Sequence, residues 1–484
     1  ATQFEITKPQ DDIYQLGGKY QRYLKNLQLT HRDSQIEVYL FESAPELAQK
    51  YLDKSAEYIT EFSNIIGSYP YSKFAVVENS YQTGYGMPGF TLLGSRIIRF
   101  PFILNSSLPH EILHNWWGNG VYVNYQTGNW SEGLTAYMAD HFYQKKIGKD
   151  VEYRRKALER YANFAANQAD FPLVEFTSRH NESSQAVGYS KSMMIFHSLR
   201  EQIGPQRFDE NIKKFWEKFK FKPASFDDVI STLASGSEID TKQFMHQWLN
   251  REGAPGIEVD AISVERQGSV YQLKLDLIQT QPGRAFTFQL PIHIKTLSSE
   301  DPVIQSVVMD EKKLPLTFKL DELPATVSVD PDFDTFRLLS PKERPASLGR
   351  LFGAEQQYIV IPSKADESMV AAWEALAKQW NRLYNNVAIV KDHEINDLPD
   401  DAPVWLVGWE NDFLQKSAEH FSSSVYRLSV TQNSLNVDDD LFLSDQHGLV
   451  VLDINNSKPP LGFIAANNVE TINQLARKLP HYKS

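Results

Sequence analysis

The spacing of apolar residues divides the first half of the chain into a sheet region and a helical block. Residues 36–40 and 74–77 have the alternation or the apolar run of strands, and residues 47–66 predict an amphipathic helix. Residues 100–250 repeat apolar side chains at helical intervals, for example at 208–219. We therefore expect a sheet beside a mostly helical block.

The second half of the chain changes its periodicity twice. Residues 257–339 alternate with period two and predict a small β-sandwich. After a linker at 341–345, strands and a helix at 367–384 predict a parallel α/β layer. Its strands are predicted at 358–361, 387–390, 404–407, 449–452 and 462–465. This layer has no phosphate loop and no cluster of catalytic residues, so we interpret it as a packing or partner domain.

These blocks predict an α+β multidomain protein, as the length of 484 residues also suggests. We predict the remnant of an N-terminal β-domain at 1–43 and a mostly helical domain with the candidate site at 44–253. A β-sandwich domain at 254–345 and an α/β domain of Rossmann or flavodoxin-like type at 346–484 follow.

Composition and charge narrow the class of partner. The net charge is -12 and no Lys/Arg cluster stands out, so a nucleic-acid partner is disfavoured and a small molecule or peptide is expected. No apolar run is long enough to predict a membrane span, and no partner protein is identifiable. The absence of cysteine excludes thiolate ligands and favours an extracytoplasmic location, periplasmic or secreted, over a cytoplasmic one. The start at Ala1, without Met, is expected of a cleaved or truncated product.

The candidate chemistry is a zinc site. His110, Glu111 and His114 form H-E-x-x-H, and on a helix the two imidazoles lie on one face, within reach of one ion. Glu111 then lies beside the metal as a general base for its bound water. A third ligand is needed, and Glu132 lies in the first turn of a second predicted helix. The alternative is that Glu132 only complements the helix dipole and that the histidines are ordinary ones.

A second motif, formed by three glycines, could bind either a dinucleotide or a substrate that lies along a strand edge. Gly84, Gly86 and Gly89 match the dinucleotide fingerprint G-x-G-x-x-G, but a strand follows Gly89 where that fingerprint requires a helix. We therefore expect Gly86, Met87, Pro88 and Gly89 to bind substrate, with the glycines letting the backbone approach a ligand along a strand edge.

The chain resembles the aminopeptidase N-like family of gluzincin zinc metallopeptidases. The resemblance rests on His110, Glu111, His114 and Glu132, together with Trp116, Gly118 and Asn119 after the second histidine. The resemblance covers about residues 1–340. It implies a thermolysin-like catalytic domain with one zinc per chain, bound by His110, His114 and Glu132, and Glu111 as general base. It also implies a tyrosine that stabilises the oxyanion, for which Tyr189 in Tyr189-Ser190-Lys191 fits. The alternative is that Tyr189 only begins a helix.

Three departures from the family stand out. The segment between His114 and Glu132 is one residue shorter than usual, a change that a loop absorbs. Seven residues after the ligand glutamate, the family has an acidic residue, whereas this chain has Ala139 and then Asp140. The family's substrate strand reads Gly-x-Met-Glu-Asn, and its glutamate binds the free α-amine of the substrate. Here Pro88 takes the place of that glutamate. Either another carboxylate, for example one from the segment 170–182, pairs with the amine, or the subsite accepts a blocked or internal residue.

The sequence therefore predicts a zinc metallopeptidase that is related to aminopeptidases but has an altered N-terminal specificity. An enzyme of the same family that hydrolyses an ester or an epoxide is the first alternative. A non-catalytic peptide-binding pseudo-enzyme is the second, although a binding module has no use for Glu111.

Overall fold

A computed structural model describes twelve stretches of the chain. They are residues 8–10, 13–29, 33–82, 84–166, 169–299, 301–340, 342–344, 346–421, 428–431, 433–438, 440–453 and 459–482. Of the predicted linker at 341–345, only residues 342–344 lie within them. None of the helices within these stretches has the length and apolar character needed to cross a membrane.

The chain forms two compact units. Unit 1 comprises Ala1–Leu158 and Asp170–Arg337, and unit 2 comprises Glu159–Ala169 and Leu338–Ser484. Both units combine helices with sheets, as expected of an α+β chain. The division into four domains stays a prediction.

The helices follow the predicted periodicity closely. The α-helices are α1 Pro45–Ile65, α2 Ser107–Leu113, α3 Trp130–Thr135, α4 Phe142–Lys146, α5 Asp150–Phe164, α6 Glu182–Gln185, α7 Ser192–Ile203, α8 Pro205–Phe219, α9 Phe226–Leu233, α10 Thr241–Trp248, α11 Leu348–Phe352, α12 Glu367–Tyr384 and α13 Val469–Lys478. Two π-helical segments, Ala136–His141 and Ala186–Lys191, join α3 to α4 and α6 to α7. Short 3₁₀ turns lie at Ile97–Arg99, Pro101–Asn105, Tyr125–Thr127, Leu173–Glu175, Asp392–Glu394, Ala418–Phe421 and Leu479–His481.

The strands form several sheets. In unit 1 they are β1 Gln21–Gln28, β2 Asp33–Leu40, β3 Lys73–Asn79, β4 Gly84–Met87, β5 Phe90–Gly94, β6 Tyr122–Val123, β7 Pro223–Ala224, β8 Ile257–Gln267, β9 Val270–Gln279, β10 Phe288–Thr296, β11 Val303–Met309, β12 Lys313–Leu320 and β13 Pro324–Val329. In unit 2 they are β14 Gln357–Ile361, β15 Val387–Lys391, β16 Val404–Val407, β17 Leu428–Val430, β18 Ser434–Val437, β19 Asp440–Leu443, β20 Leu449–Leu452 and β21 Leu461–Ala465.

The sheet that supports the candidate site has five strands in the order β1-β2-β3-β5-β4. Strands β2, β3 and β5 are parallel, and the two outer strands run antiparallel to their neighbours. Strand β4 is therefore an edge strand, and it forms a hairpin with β5. The strand after Gly89 confirms that the glycines do not open a dinucleotide-binding helix.

The region of period two forms two antiparallel sheets of three strands, β12-β9-β8 and β11-β10-β13. Alternate residues of the central strands are buried, among them Leu273, Leu275 and Leu277 on β9 and Leu290 and Ile292 on β10. This burial is the pattern from which a half-buried strand is predicted.

Unit 2 contains the predicted α/β layer, in the order β15-β14-β16-β21-β20. Helix α12 packs on one of its faces, where Trp373 and Trp380 of the helix share a core with Trp405 of β16. The prediction of a parallel sheet was wrong at β20, which runs antiparallel to β21. The antiparallel sheet β17-β18-β19 was not predicted, because three strands of three or four residues carry too little periodicity to be recognised.

Candidate metal centre

The short helix α2 carries the two histidines. Seven residues are too few for a stable isolated helix, so its conformation depends on burial of its apolar face. Leu108, Ile112 and Leu113 are completely buried on that face. Pro109 lies in the first turn, where a missing backbone N–H disrupts no helical hydrogen bond. The i, i+4 spacing places the imidazole rings of His110 and His114 4.9 Å apart.

Three ligand atoms converge, as the motif and the spaced glutamate predict. The two Nε2 atoms of His110 and His114 are 3.2 Å apart. Glu132 Oε2 lies 3.5 Å from the first and 3.4 Å from the second. Glu132 lies in the first turn of α3, whose N-cap, Asn129, accepts a hydrogen bond from Ser131 N. Among the residues that the structure describes, His110, His114 and Glu132 form the only group of three suited to a metal ion.

The far side of each imidazole ring is also held. His110 Nδ1 lies 3.2 and 3.1 Å from the two carboxylate oxygens of Asp140. His114 Nδ1 lies 2.9 Å from the carbonyl oxygen of Trp117. Carbonyl and carboxylate oxygens only accept hydrogen bonds here, so both Nδ1 atoms donate. In the neutral rings, the Nε2 lone pairs then face Glu132, as a metal site requires.

Asp140 reaches His110 because its helix is locally π-helical. In an α-helix, the residue seven after Glu132 would face back toward the histidine, and that residue is the buried Ala139. The π-helical segment Ala136–His141 adds a residue to the turn, which moves the following position onto that face. Asp140 therefore lies on the helix face where the family has its acidic residue, although it comes one position later in the sequence.

Glu111 faces the edge strand β4. A Cβ atom added to Gly86 would lie 2.8 Å from Glu111 Oε2, and one added to Gly84 would lie 3.3 Å from Oε1. A side chain at either position would therefore press on the carboxylate, and only glycine permits this close approach. The predicted contact of these glycines with a ligand stays a prediction.

Pro88 and Gly89 form the two-residue turn of the β4–β5 hairpin, which the pair Met87 and Phe90 closes. Gly89 has a φ of +78°, and proline followed by such a glycine is typical of a type II turn. Gly89 N donates to Asn115 Oδ1 over 2.9 Å, and Asn115 is completely buried behind the metal helix. The turn is therefore fixed to the element that carries the histidines.

Tyr189 approaches the site from the second π-helical segment. Its ring lies 6.3 Å from the ring of His110, nearly parallel to it, and 6.0 Å from the ring of Phe176. Burial raises the pKa of Tyr189, and the charge of Glu132 adds to the effect. The phenol is thus neutral at pH 7 and can donate a hydrogen bond.

The remaining pKa shifts come from charged groups that are buried close together. Burial lowers the pKa of His110, but the Asp140 and Glu132 carboxylates overcome it and raise that pKa well above the usual range. The pKa of His114 is also raised, against burial, mainly by Glu132. Burial raises the pKa of Glu111, although both imidazoles oppose it. Burial would also raise the pKa of Glu132, but the imidazoles hold it far below its usual value.

One carboxylate that could replace the family's amine-binding glutamate is engaged elsewhere. In the segment 170–182, Asp170 accepts hydrogen bonds from Lys191 Nζ over 3.1 Å and from Gly253 N. Its side chain is only 7% exposed. Asp170 therefore fixes the chain around Lys191 and is not available to a substrate.

Comparison with known proteins agrees with this geometry. Residues 104–248 match the Peptidase family M1 domain. Aminopeptidase 2, mitochondrial, of Saccharomyces cerevisiae is 22% identical over 366 residues, which are 67% of this chain and 37% of that protein. The alanine/arginine aminopeptidase of the same yeast is 26% identical over 209 residues, 40% of this chain and 24% of that protein. The glutamyl aminopeptidase of Sus scrofa is 23% identical over 205 residues, 41% of this chain and 22% of that protein.

A solved structure supports the fold. The crystal structure of Legionella pneumophila aminopeptidase A in complex with aspartic acid is similar with a TM-score of 0.55 at 18% sequence identity. The similarity covers 75% of this chain and 42% of that chain. This chain therefore spans less than half of the length of each of these four proteins.

Proposed function

We propose that the chain is a member of the aminopeptidase N-like family of metallopeptidases and a zinc-dependent peptidase that hydrolyses peptide bonds with a metal-activated water. The observation that carries the proposal is the convergence of His110, His114 and Glu132, with Glu111 beside them. The relatives that match are much longer than this chain, so their own activities serve here only as support.

The three ligand atoms have a spacing suited to zinc. Two ligands about 2.0–2.1 Å from a tetrahedral ion are about 3.3 Å apart, and the observed separations are 3.2, 3.4 and 3.5 Å. The donor set of two imidazoles and one carboxylate leaves one position open for water, as catalytic zinc requires. Zinc bound there would lower the pKa of a bound water toward about 7 and polarise the scissile carbonyl.

The side chains around this position then have distinct tasks. Glu111 accepts the proton of the attacking water and delivers it to the leaving amine, a task for which its raised pKa suits it. The Tyr189 hydroxyl donates a hydrogen bond to the carbonyl oxygen as that atom becomes negative. Asp140 holds His110 in the tautomer and orientation that a ligand needs.

We also propose that the substrate's N-terminus is not recognised as in the family. An α-ammonium brought into a closed site needs a charged partner, since leaving it unpaired costs several kcal/mol. Pro88 provides no charge where the family has its glutamate, and Asp170 is bound to Lys191. A blocked or internal residue avoids this cost. The extracytoplasmic location and the four-domain division stay proposals, supported by the absence of cysteine and by the changes of periodicity.

The test is a peptide-library digest by the zinc-loaded protein, read by mass spectrometry. Peptides with free and with acetylated N-termini are digested side by side, and Glu111→Gln is the control. Cleavage of both sets at internal bonds is expected. Stepwise removal of residues from the free set alone would show that amine recognition persists by another route. If neither set is cleaved, the peptidase proposal is wrong, and the ester, epoxide and pseudo-enzyme alternatives gain support.

A further inference from the structure

The segment from Phe176 to Asn181 lies against the N-cap of α3, the helix of Glu132, and against the π-helical segment of Tyr189. The Phe176 ring is buried and packs edge to face with the Tyr189 ring. Asn129, which caps the helix of Glu132, donates from its backbone N to Phe176 O and from Nδ2 to Thr177 O. The start of the segment is therefore fixed to the helix of a metal ligand.

The end of the segment is fixed as well. Ser184 Oγ accepts hydrogen bonds from the backbone N of His180 and of Asn181, and Asn181 Oδ1 caps α6 by accepting from Ser184 N. Helix α6 continues directly into the π-helical segment of Tyr189. Arg179 thus has a backbone that is held on both sides, at Thr177 and at His180.

The Arg179 side chain has no charged partner in the described part of the chain. It is exposed, and no hydrogen bond or ion pair engages its guanidinium there. Arg179 lies three residues after Phe176, whose ring packs on Tyr189. The nearby backbone groups of Thr177 and His180 are both hydrogen-bonded. The positive charge of Arg179 acts against the burial that raises the pKa of Tyr189. The other charged groups at the metal centre, Glu111, Glu132 and Asp140, are acidic. A cation held beside a catalytic centre and left unpaired is suited to a substrate anion.

We propose that Arg179 binds a carboxylate of the substrate, so that peptides with an acidic group near the scissile bond are preferred. The inference rests on the proposed peptidase function and adds the substrate class to it. The carboxylate is that of an Asp or Glu side chain near the cleaved bond, or that of a peptide C-terminus.

The test compares matched peptides that differ only in charge. Each pair has Asp against Asn, or Glu against Gln, at one position beside the scissile bond, and a second series has free against amidated C-termini. The zinc-loaded wild type is expected to cleave the acidic member with a kcat/KM about fivefold higher, as a solvent-exposed ion pair allows. Arg179→Gln should reduce this ratio to about one, and Arg179→Lys should restore part of it.

The matched control is Arg266→Gln, which removes an exposed arginine from β8, outside the elements of the site. It should keep the wild-type preference. The series with the larger effect distinguishes a side-chain carboxylate from a terminal one. A wild-type ratio near one in both series, or a ratio that Arg179→Gln leaves unchanged, would overturn the proposal.

A binding measurement separates this proposal from the peptidase function. Zinc-loaded Glu111→Gln, with and without Arg179→Gln, is titrated with the same labelled peptides and followed by fluorescence anisotropy. Tighter binding of the acidic peptides that is lost with Arg179 supports the subsite even if the wild type cleaves nothing, in which case only the peptidase proposal has failed. Equal binding of acidic and amide peptides overturns the subsite, whatever the turnover.

Discussion

Replacing Asp140 by asparagine tests how the protein prepares His110 for a metal. Both carboxylate oxygens lie 3.1–3.2 Å from His110 Nδ1, in a contact whose side chains are 14% and 23% exposed. Loss of such a partner typically weakens metal binding 10- to 100-fold. Because the pair is partly solvated, we expect about thirtyfold weaker zinc binding for Asp140→Asn, about 2 kcal/mol.

The effect should depend on pH in a definite direction. Asp140 raises the pKa of His110, so in the wild type a proton competes with zinc at neutral and acidic pH. Asp140→Asn lowers that pKa and reduces the competition, which offsets part of the lost affinity. The ratio of the two dissociation constants should therefore grow as pH rises and reach about thirtyfold once His110 is neutral in both proteins.

Competition with a chromophoric zinc chelator between pH 6 and 9 measures this ratio. Asp209→Asn is the control, because its carboxylate is 55% exposed and pairs with Arg200. Asp140→Ala, which also removes the acceptor, should bind zinc more weakly than Asp140→Asn. A ratio that falls with rising pH, or that stays within twofold of one throughout, would refute the role assigned to Asp140.

Four further outcomes are expected. His114→Ala should lose most of its zinc, whereas Glu111→Gln should keep the zinc and lose turnover; a wild type that contains no zinc by metal analysis after growth with added zinc would contradict the site. Tyr189→Phe should keep its zinc and lose about a hundredfold in kcat, while a steady-state change confined to KM would make it a binding residue. Gly86→Ala should keep its zinc and lower kcat about tenfold or more, because the added Cβ displaces the Glu111 carboxylate. Wild-type kinetics would show that strand β4 moves away from Glu111 instead. Zinc uptake at pH 7 should release up to two protons, and this number should fall as the pH rises above the raised pKa values of His110 and His114. Calorimetry in buffers of different ionisation enthalpy counts the protons. The absence of any release at pH 7 would contradict the raised pKa values.

The ligand geometry could be predicted because it depends on local rules. An i, i+4 pair on a helix and a glutamate in the first turn of the next helix are both visible in the sequence. The helix at α12 and the strand at β16 were also predicted with their observed bounds, since each has a strong period of its own. These features require no knowledge of how distant segments meet.

The features that escaped prediction depend on tertiary contacts or on small irregularities. Ideal α-helical spacing predicts that Ala139, and not Asp140, faces His110. The sequence contains no signal for the π-helical turn that brings Asp140 there. The position of Arg179 follows from hydrogen bonds of Asn129 and Ser184, which lie in other segments. Asn129 itself carried a signal, since an asparagine directly before a helix, three residues before an acidic side chain of its first turn, is a typical N-cap.

The hairpin turn at Pro88 and Gly89 has a backbone that also accommodates the two residues of the family's motif. Asparagine is the non-glycine residue that best tolerates the positive φ of Gly89, and a Cβ there would meet Lys73 O at 3.2 Å, which needs an adjustment of a few tenths of an ångström. The φ that proline imposes is open to any residue. Pro88→Glu with Gly89→Asn would therefore restore the family's Glu-Asn on the present backbone, with the hydrogen bond to Asn115 kept. Two substitutions in this turn therefore separate Pro-Gly from the family's Glu-Asn, and neither changes a residue of the metal centre.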